Sequence, residues 1–191
     1  MSDSKDGRLL LHCKKSGCSF ADTLAAAGVT PGSYTPPDPA VIAERRAEER
    51  AQAAKKSRQA ERCWQEAGPI AGTIAETYMR LRGIRCDLPH TLRFHPECWH
   101  GPTAKRHPAM IARVDGTDGF AIHRTYLAPD GRGKAAVTPD KAMLGAVAGG
   151  AVWLTQTQQT IVACEGVETG LALASDLLRR PATVIAALST S

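Results

Sequence analysis

Near the end of this 191-residue chain, two uninterrupted apolar runs flank a helix-forming stretch, and that arrangement restricts the fold more than any other feature. Thr160 to Cys164 reads as one strand. Val167 to Leu178 reads as a helix with Leu171, Leu173, Ala174, Leu177 and Leu178 available for burial, and Ala182 to Leu188 as a second strand. A strand with one wet face alternates apolar and polar residues, whereas a strand that is apolar throughout needs cover on both faces. Two such strands around one helix predict a parallel βαβ unit, with Ile161 to Glu165 and Ala182 to Leu188 side by side. Two parallel strands do not complete a fold, so the region reads as cut short.

The stretch ahead of it follows a different pattern. Ala71, Ile74, Ala75, Tyr78 and Met79 recur at helical spacing, with Gly83 as the stop. Short apolar segments then alternate with turn signals: Leu92 to Phe94, Ala109 to Val114, Gly119 to Leu127 and Gly150 to Leu154, with Asp115-Gly116 and Asp130-Gly131 as hairpin-type dipeptides. This predicts a small, mostly antiparallel sheet. His95, Cys98, His100 and His107 match no metal-ligand spacing and read as a polar loop.

Residues 40 to 66 contain neither Gly nor Pro and no sustained apolar stripe. Their Arg, Lys and Glu residues are interspersed, which predicts a solvated connecting helix. Gly32 to Pro39, with three prolines, is a linker. Before it, Arg8 to Cys13 reads as a short strand and Ser19 to Ala27 as a helix, with Ser19 as cap, Asp22 at its third position and Gly28 as terminator.

Composition bears on partners. No apolar run approaches the ~20 residues a membrane helix needs, and the polar start, Met1 to Arg8, lacks the apolar core of a signal peptide. The expectation is a cytoplasmic protein with no membrane partner. The net charge of +5 and a pI near 9.0 favour an anionic partner such as nucleic acid. Six cysteines at irregular spacing argue against a disulfide framework and leave metal ligation or plain burial open.

Chemistry concentrates where the first apolar run ends. Ligand sites in α/β sheets gather at the carboxyl ends of strands. Glu165 there, beside Gly166, suits a Mg²⁺ or Mn²⁺ ligand or a general base. Glu168, in the first helical turn, reads instead as a complement to the helix dipole. The run Ile161-Val-Ala-Cys-Glu165-Gly-Val-Glu-Thr-Gly-Leu-Ala resembles the first motif of the Toprim domain, shared by primases, topoisomerases and some nucleases. His123-Arg-Thr-Tyr-Leu-Ala-Pro-Asp-Gly131 with Lys134, then Lys141-Ala-Met-Leu-Gly145 and Gly149-Gly-Ala-Val-Trp-Leu154, resemble the region before Toprim in plasmid and phage primases. Leu92-Arg-Phe-His-Pro96 and Pro108-Ala-Met110 fit the same family. Leu9-Leu-Leu-His-Cys13 with Gly17-Cys18-Ser19-Phe20 resembles the second half of a primase zinc ribbon.

The resemblance, over residues 68 to 191, implies a DNA primase of a mobile element that makes RNA primers on single-stranded DNA by metal-dependent nucleotidyl transfer. Glu165 is implied as the catalytic acid and a Mg²⁺ ligand. Two further acids in an Asp-x-Asp motif on a later strand are implied to bind Mg²⁺ or Mn²⁺, and the chain ends before that motif. Arg124, Arg132, Lys134 and Lys141 are implied to contact template phosphates or the incoming nucleotide. Cys13 and Cys18 are implied zinc ligands, without the ribbon's first ligand pair. The implied partners are the single-stranded template, nucleotides and a replicative helicase.

The fold class expected is α+β grading to α/β. It comprises a partial zinc-ribbon-like segment (1–34), a linker and charged connecting helix (35–67), a small antiparallel primase subdomain (68–158) and the first βαβ unit of a Toprim fold (159–191). A second reading stays open: a catalytically inactive truncated fragment acting at most as a DNA-binding module. A Toprim nuclease or topoisomerase would need a different region ahead of Glu165.

Overall fold

The computed structural model describes residues 2–3, 9–10, 18–28, 38–157 and 160–188. They fall into two compact units, Met1–Arg46 and Ala47–Ser191, with the boundary inside one long helix. In the first unit, Ser2–Asp3 (β1) pairs antiparallel with Leu9–Leu10 (β2). Phe20–Ala26 (α1) begins with the expected capping box. The Ser19 hydroxyl accepts from the Asp22 backbone N–H at 3.2 Å, and the Asp22 carboxylate accepts from the Ser19 N–H at 3.2 Å. Gly28, at φ +69°, ends it. The rest of the strand expected at Arg8 to Cys13, and most of the linker before Pro39, lie outside the described residues.

Pro39–Glu66 (α2) is the connecting helix. Its last turns are not solvated throughout as the charge pattern suggested, because Ala60 and Trp64 are buried. Trp64 is the anchor. Arg93 stacks 4.2 Å over its ring, and the Phe120 ring lies 6.4 Å away. No helix among the described residues is long and apolar enough to cross a membrane.

The second unit is α+β, with two sheets. Gly68–Pro69 (β3), Leu92–His100 (β4), Lys105–Val114 (β5), Ala121–Tyr126 (β6) and Lys141–Leu144 (β7) form an antiparallel sheet in chain order, with Ile74–Leu81 (α3) between β3 and β4. The apolar run Ala109 to Val114 lies at the centre and is covered on both faces. Ala109 and Ile111 join Cys98, Ile122 and Tyr126 against the end of α2. Met110, Ala112 and Val114 face the larger core built from α3 and the second sheet.

That second sheet has the order β8-β10-β9, where β8 is Val152–Thr155, β9 is Ile161–Cys164 and β10 is Thr183–Ala186. β9 and β10 pair in parallel, Ile161 to Thr183 through Cys164 to Ala186, with Val167–Ala172 (α4) between them. Three expectations change here. The segment Gly150 to Leu154 leaves the first sheet and pairs antiparallel with β10. The Thr160 to Cys164 strand is not covered on both faces: it is an edge, and Ile161 is 63% exposed. The helix expected over Val167 to Leu178 loosens after Ala172 into a π-helical turn, Leu173–Leu177, leaving Leu177 exposed.

α4 can lie close to this sheet because Gly170 has no side chain. A Cβ there would collide with the Leu154 side chain and approach Cys164 Sγ to 2.9 Å. Gly170→Ala is therefore expected to destabilise the second unit by about 1–3 kcal/mol through overpacking, read as a lower urea midpoint; an unchanged midpoint would show that α4 stands farther off.

Candidate functional site

β6 and β7 set the site. Thr125 is in register with Lys141 and His123 with Met143, so His123, Thr125 and Lys141 share one face of the sheet. That face looks onto α3 and α4. Lys141 Nζ donates to the Glu168 carboxylate at 2.9 Å, and the Tyr78 hydroxyl donates to Glu168 Oε1 at 3.2 Å. Glu168 is buried, so its place in the first turn of α4 is only part of its role. Burial pushes its carboxyl upward, but the Lys141 ammonium and the Tyr78 hydroxyl outweigh this and hold it below the ordinary carboxylate range. Burial and the facing carboxylate push the Tyr78 hydroxyl up to about 12. Burial, with the Lys141 charge beside it, takes His123 down to about 4, so the ring is neutral at pH 7. His123 Nδ1 and Thr125 Oγ1 are buried without a hydrogen-bond partner.

The residues expected at the site divide by exposure. Lys141 is spent on Glu168, and Lys134 Nζ lies 2.7 Å from Asp140 Oδ2. Arg124 points to the other face of the sheet, where its guanidinium donates to the Trp99 carbonyl at 3.2 Å and the Met143 carbonyl at 3.4 Å. Of the four cations, Arg132 alone is exposed, in a turn that its own N–H closes onto Asp130 Oδ1 at 3.0 Å. Gly131, at φ +68°, lets that turn pass against Ile74 at the start of α3. Glu165 is exposed where β9 ends. Cys18 is exposed beside the α1 cap, and Cys13 lies outside the described residues. Among the described residues, no three His, Cys, Asp or Glu side chains converge to hold a metal ion.

His95, Cys98, His100 and His107 sit on strands β4 and β5 rather than on a loop. His100 is fixed by the Thr103 hydroxyl at 2.8 Å and the Pro139 carbonyl at 3.1 Å, and its ring meets Tyr126 edge-on at 4.7 Å. The pattern of the chain did not mark Tyr78, His123 or Glu168 as a set. Glu168 and its hydroxyl donor are 90 residues apart, and no periodicity links positions so distant.

Two stability outcomes follow. Lys141→Met should cost on the order of 2–4 kcal/mol, because it leaves a buried carboxylate without its counter-charge. Adding Glu168→Gln should recover part of the loss in a double-mutant cycle of urea midpoints, and strict additivity would show the pair is not coupled. His123 is neutral when folded, while the unfolded chain protonates it below about 6.5. Stability should therefore fall as pH drops from 6.5 toward about 4, by about 3 kcal/mol at the limit, and His123→Gln should flatten that slope in denaturation curves taken across the range.

The profile of a family described as a domain of unknown function, DUF7146, matches residues 54–154, from the last turns of α2 through both edges of the five-stranded sheet to β8. No curated protein and no solved structure matches the chain. The match takes in Tyr78, Arg124, Arg132, Lys134 and Lys141, stops short of Glu165 and Glu168, and covers more than half of the sequence, so the chain belongs to the DUF7146 family.

Proposed function

We propose that this chain is a primase-type protein from the replication machinery of a mobile element, and that it engages single-stranded DNA. One observation carries the reading: a parallel β9–α4–β10 unit with Glu165 at the carboxyl end of its first strand is tied, through Glu168 and Lys141, to an antiparallel sheet whose sequence motifs resemble those ahead of a Toprim domain. On this reading β9, α4 and β10 are the opening of a Toprim fold. The zinc-ribbon resemblance falls mainly on residues outside those described.

Among the described residues, the acids near that strand end do not make a site for Mg²⁺ or Mn²⁺. Glu168 is already neutralised by Lys141, which leaves Glu165 as the exposed carboxylate at that strand end. One carboxylate holds Mg²⁺ poorly, so no step of nucleotidyl transfer is assigned to these residues. This favours the DNA-binding part of the role for the residues described, with Arg132 exposed and the net charge at +5. The test is anisotropy titration of a labelled single-stranded oligonucleotide. Binding should weaken as salt rises, with a slope of roughly 0.7 per phosphate neutralised, and Arg132→Ala should reduce that slope. Binding that ignores salt, or no binding at low ionic strength, would remove the basis of the reading.

A further inference from the structure

Trp99 is 50% exposed, although it stands on β4 between two buried residues, Cys98 and His100. Its main chain is held firmly. The Trp99 carbonyl accepts from Tyr126 Oη at 2.8 Å and from Arg124 Nη1 at 3.2 Å. Cys98 packs with its Sγ 3.8 Å from Cys63 Sγ, and His100 is pinned on both ring nitrogens. Because side chains alternate along a strand, the indole points to the opposite face from these two anchors. The cross-strand neighbour of Trp99 is Arg106, and the next pair joins His100 to Lys105. Arg106 and Lys105 are both exposed; Arg106 shares the face of the indole, and Lys105, opposite His100, lies on the other face where the hairpin ends. Arg106 reaches back to the Glu97 carbonyl at 3.0 Å, which fixes its guanidinium near the strand without neutralising it. Between Leu92 and Val114 the one acid is Glu97, which is exposed on β4, and from Cys98 onward the hairpin carries no Asp or Glu.

A preorganised, half-exposed indole with one cation, Arg106, on its own face and a second, Lys105, at the hairpin end has the two parts that bind a single strand. A flat π surface takes an unpaired base, and positive charges meet the phosphates on either side. A duplex offers no free base face to such a platform.

We propose that the outer end of the β4–β5 hairpin docks single-stranded DNA, with Trp99 stacking on a base, Arg106 meeting a phosphate on the same face and Lys105 meeting another where the strand passes around the hairpin end. The choice of DNA rests on the function proposed above; the platform itself rests on the hairpin's geometry and charge. It adds a binding surface distinct from Arg132 and independent of Lys134 and Lys141, whose charges are already paired.

The experiment is anisotropy titration of a fluorescein-labelled oligothymidylate against the full chain and its Trp99→Ala, Trp99→Phe and Lys105→Ala/Arg106→Ala variants, with duplex DNA and oligouridylate as competitors and circular dichroism melts as the fold control. Trp99→Ala is expected to weaken binding on the order of tenfold and Trp99→Phe by much less, since a phenyl ring still stacks. The double variant should lower the salt slope by roughly 0.7 for each phosphate left without its cation. If the chain binds and Trp99→Ala binds equally well, the platform is overturned while the single-strand reading stands. If the chain binds no single strand at low salt, both fall. Duplex competing as well as the single strand, oligouridylate outcompeting oligothymidylate, or wild-type self-association that Trp99→Ala abolishes would each overturn the proposal. Should Trp99→Ala melt early, Trp99→Phe against Trp99→Leu, matched in bulk but not in stacking, decides it.

Discussion

Glu168 is a carboxylate taken out of water, and the ammonium of Lys141 is what makes that tolerable. Desolvating one ion costs several kcal/mol, and the cost is recovered only when the counter-ion and a further donor are both in place. Here the counter-ion comes from β7 and the donor, Tyr78, from α3, while the carboxylate belongs to α4. Three elements far apart along the chain must therefore close on one point together. Apolar contacts slide at little cost, but this junction does not, so it fixes the seat of α4 on the larger sheet. Glu165, on the turn that feeds α4, takes its position from that seat.

The parts of the structure legible in the sequence are those decided by neighbours. The Ser19–Asp22 capping box and the α3 stripe through Ala75, Tyr78 and Met79 declare themselves within a few residues, and the parallel pairing around α4 within the continuous stretch Ile161 to Ala186. β7 did not, because each of its residues, Lys141 to Leu144, is half-buried and leaves no alternation to read. Trp64 was hidden for a related reason. One aromatic in a charged helix makes no stripe, yet a single indole clamped by Arg93 is enough to anchor the helix end. β9 misled in the other direction. Its apolar run is that of a buried strand, but the antiparallel arrival of β8 puts β10 at the centre and leaves β9 at the edge. Which strand becomes central depends on a partner that the local pattern does not name.

The candidate site shows the same limit for charge. Lys134, Lys141 and Arg132 look alike in sequence, as basic residues around a turn. Folding sorts them by what lies across from each: Asp140, Glu168 and water. Arg124 is sorted by parity alone, since a neighbouring position on β6 faces the opposite core. A count of positive residues thus overstates the charge a ligand can use.

β5 runs without a break from the exposed Lys105 to a centre where Ala109, Met110, Ile111 and Ala112 are fully buried and paired on both sides. Amide protons in that centre are expected to exchange with solvent only through large-scale opening of the unit, and those toward Lys105 through smaller openings. One strand therefore reaches from solvent into the most deeply buried part of the unit. A ligand meeting the outer end would find its backbone already set, and the work of holding it in place would fall on residues the ligand never touches.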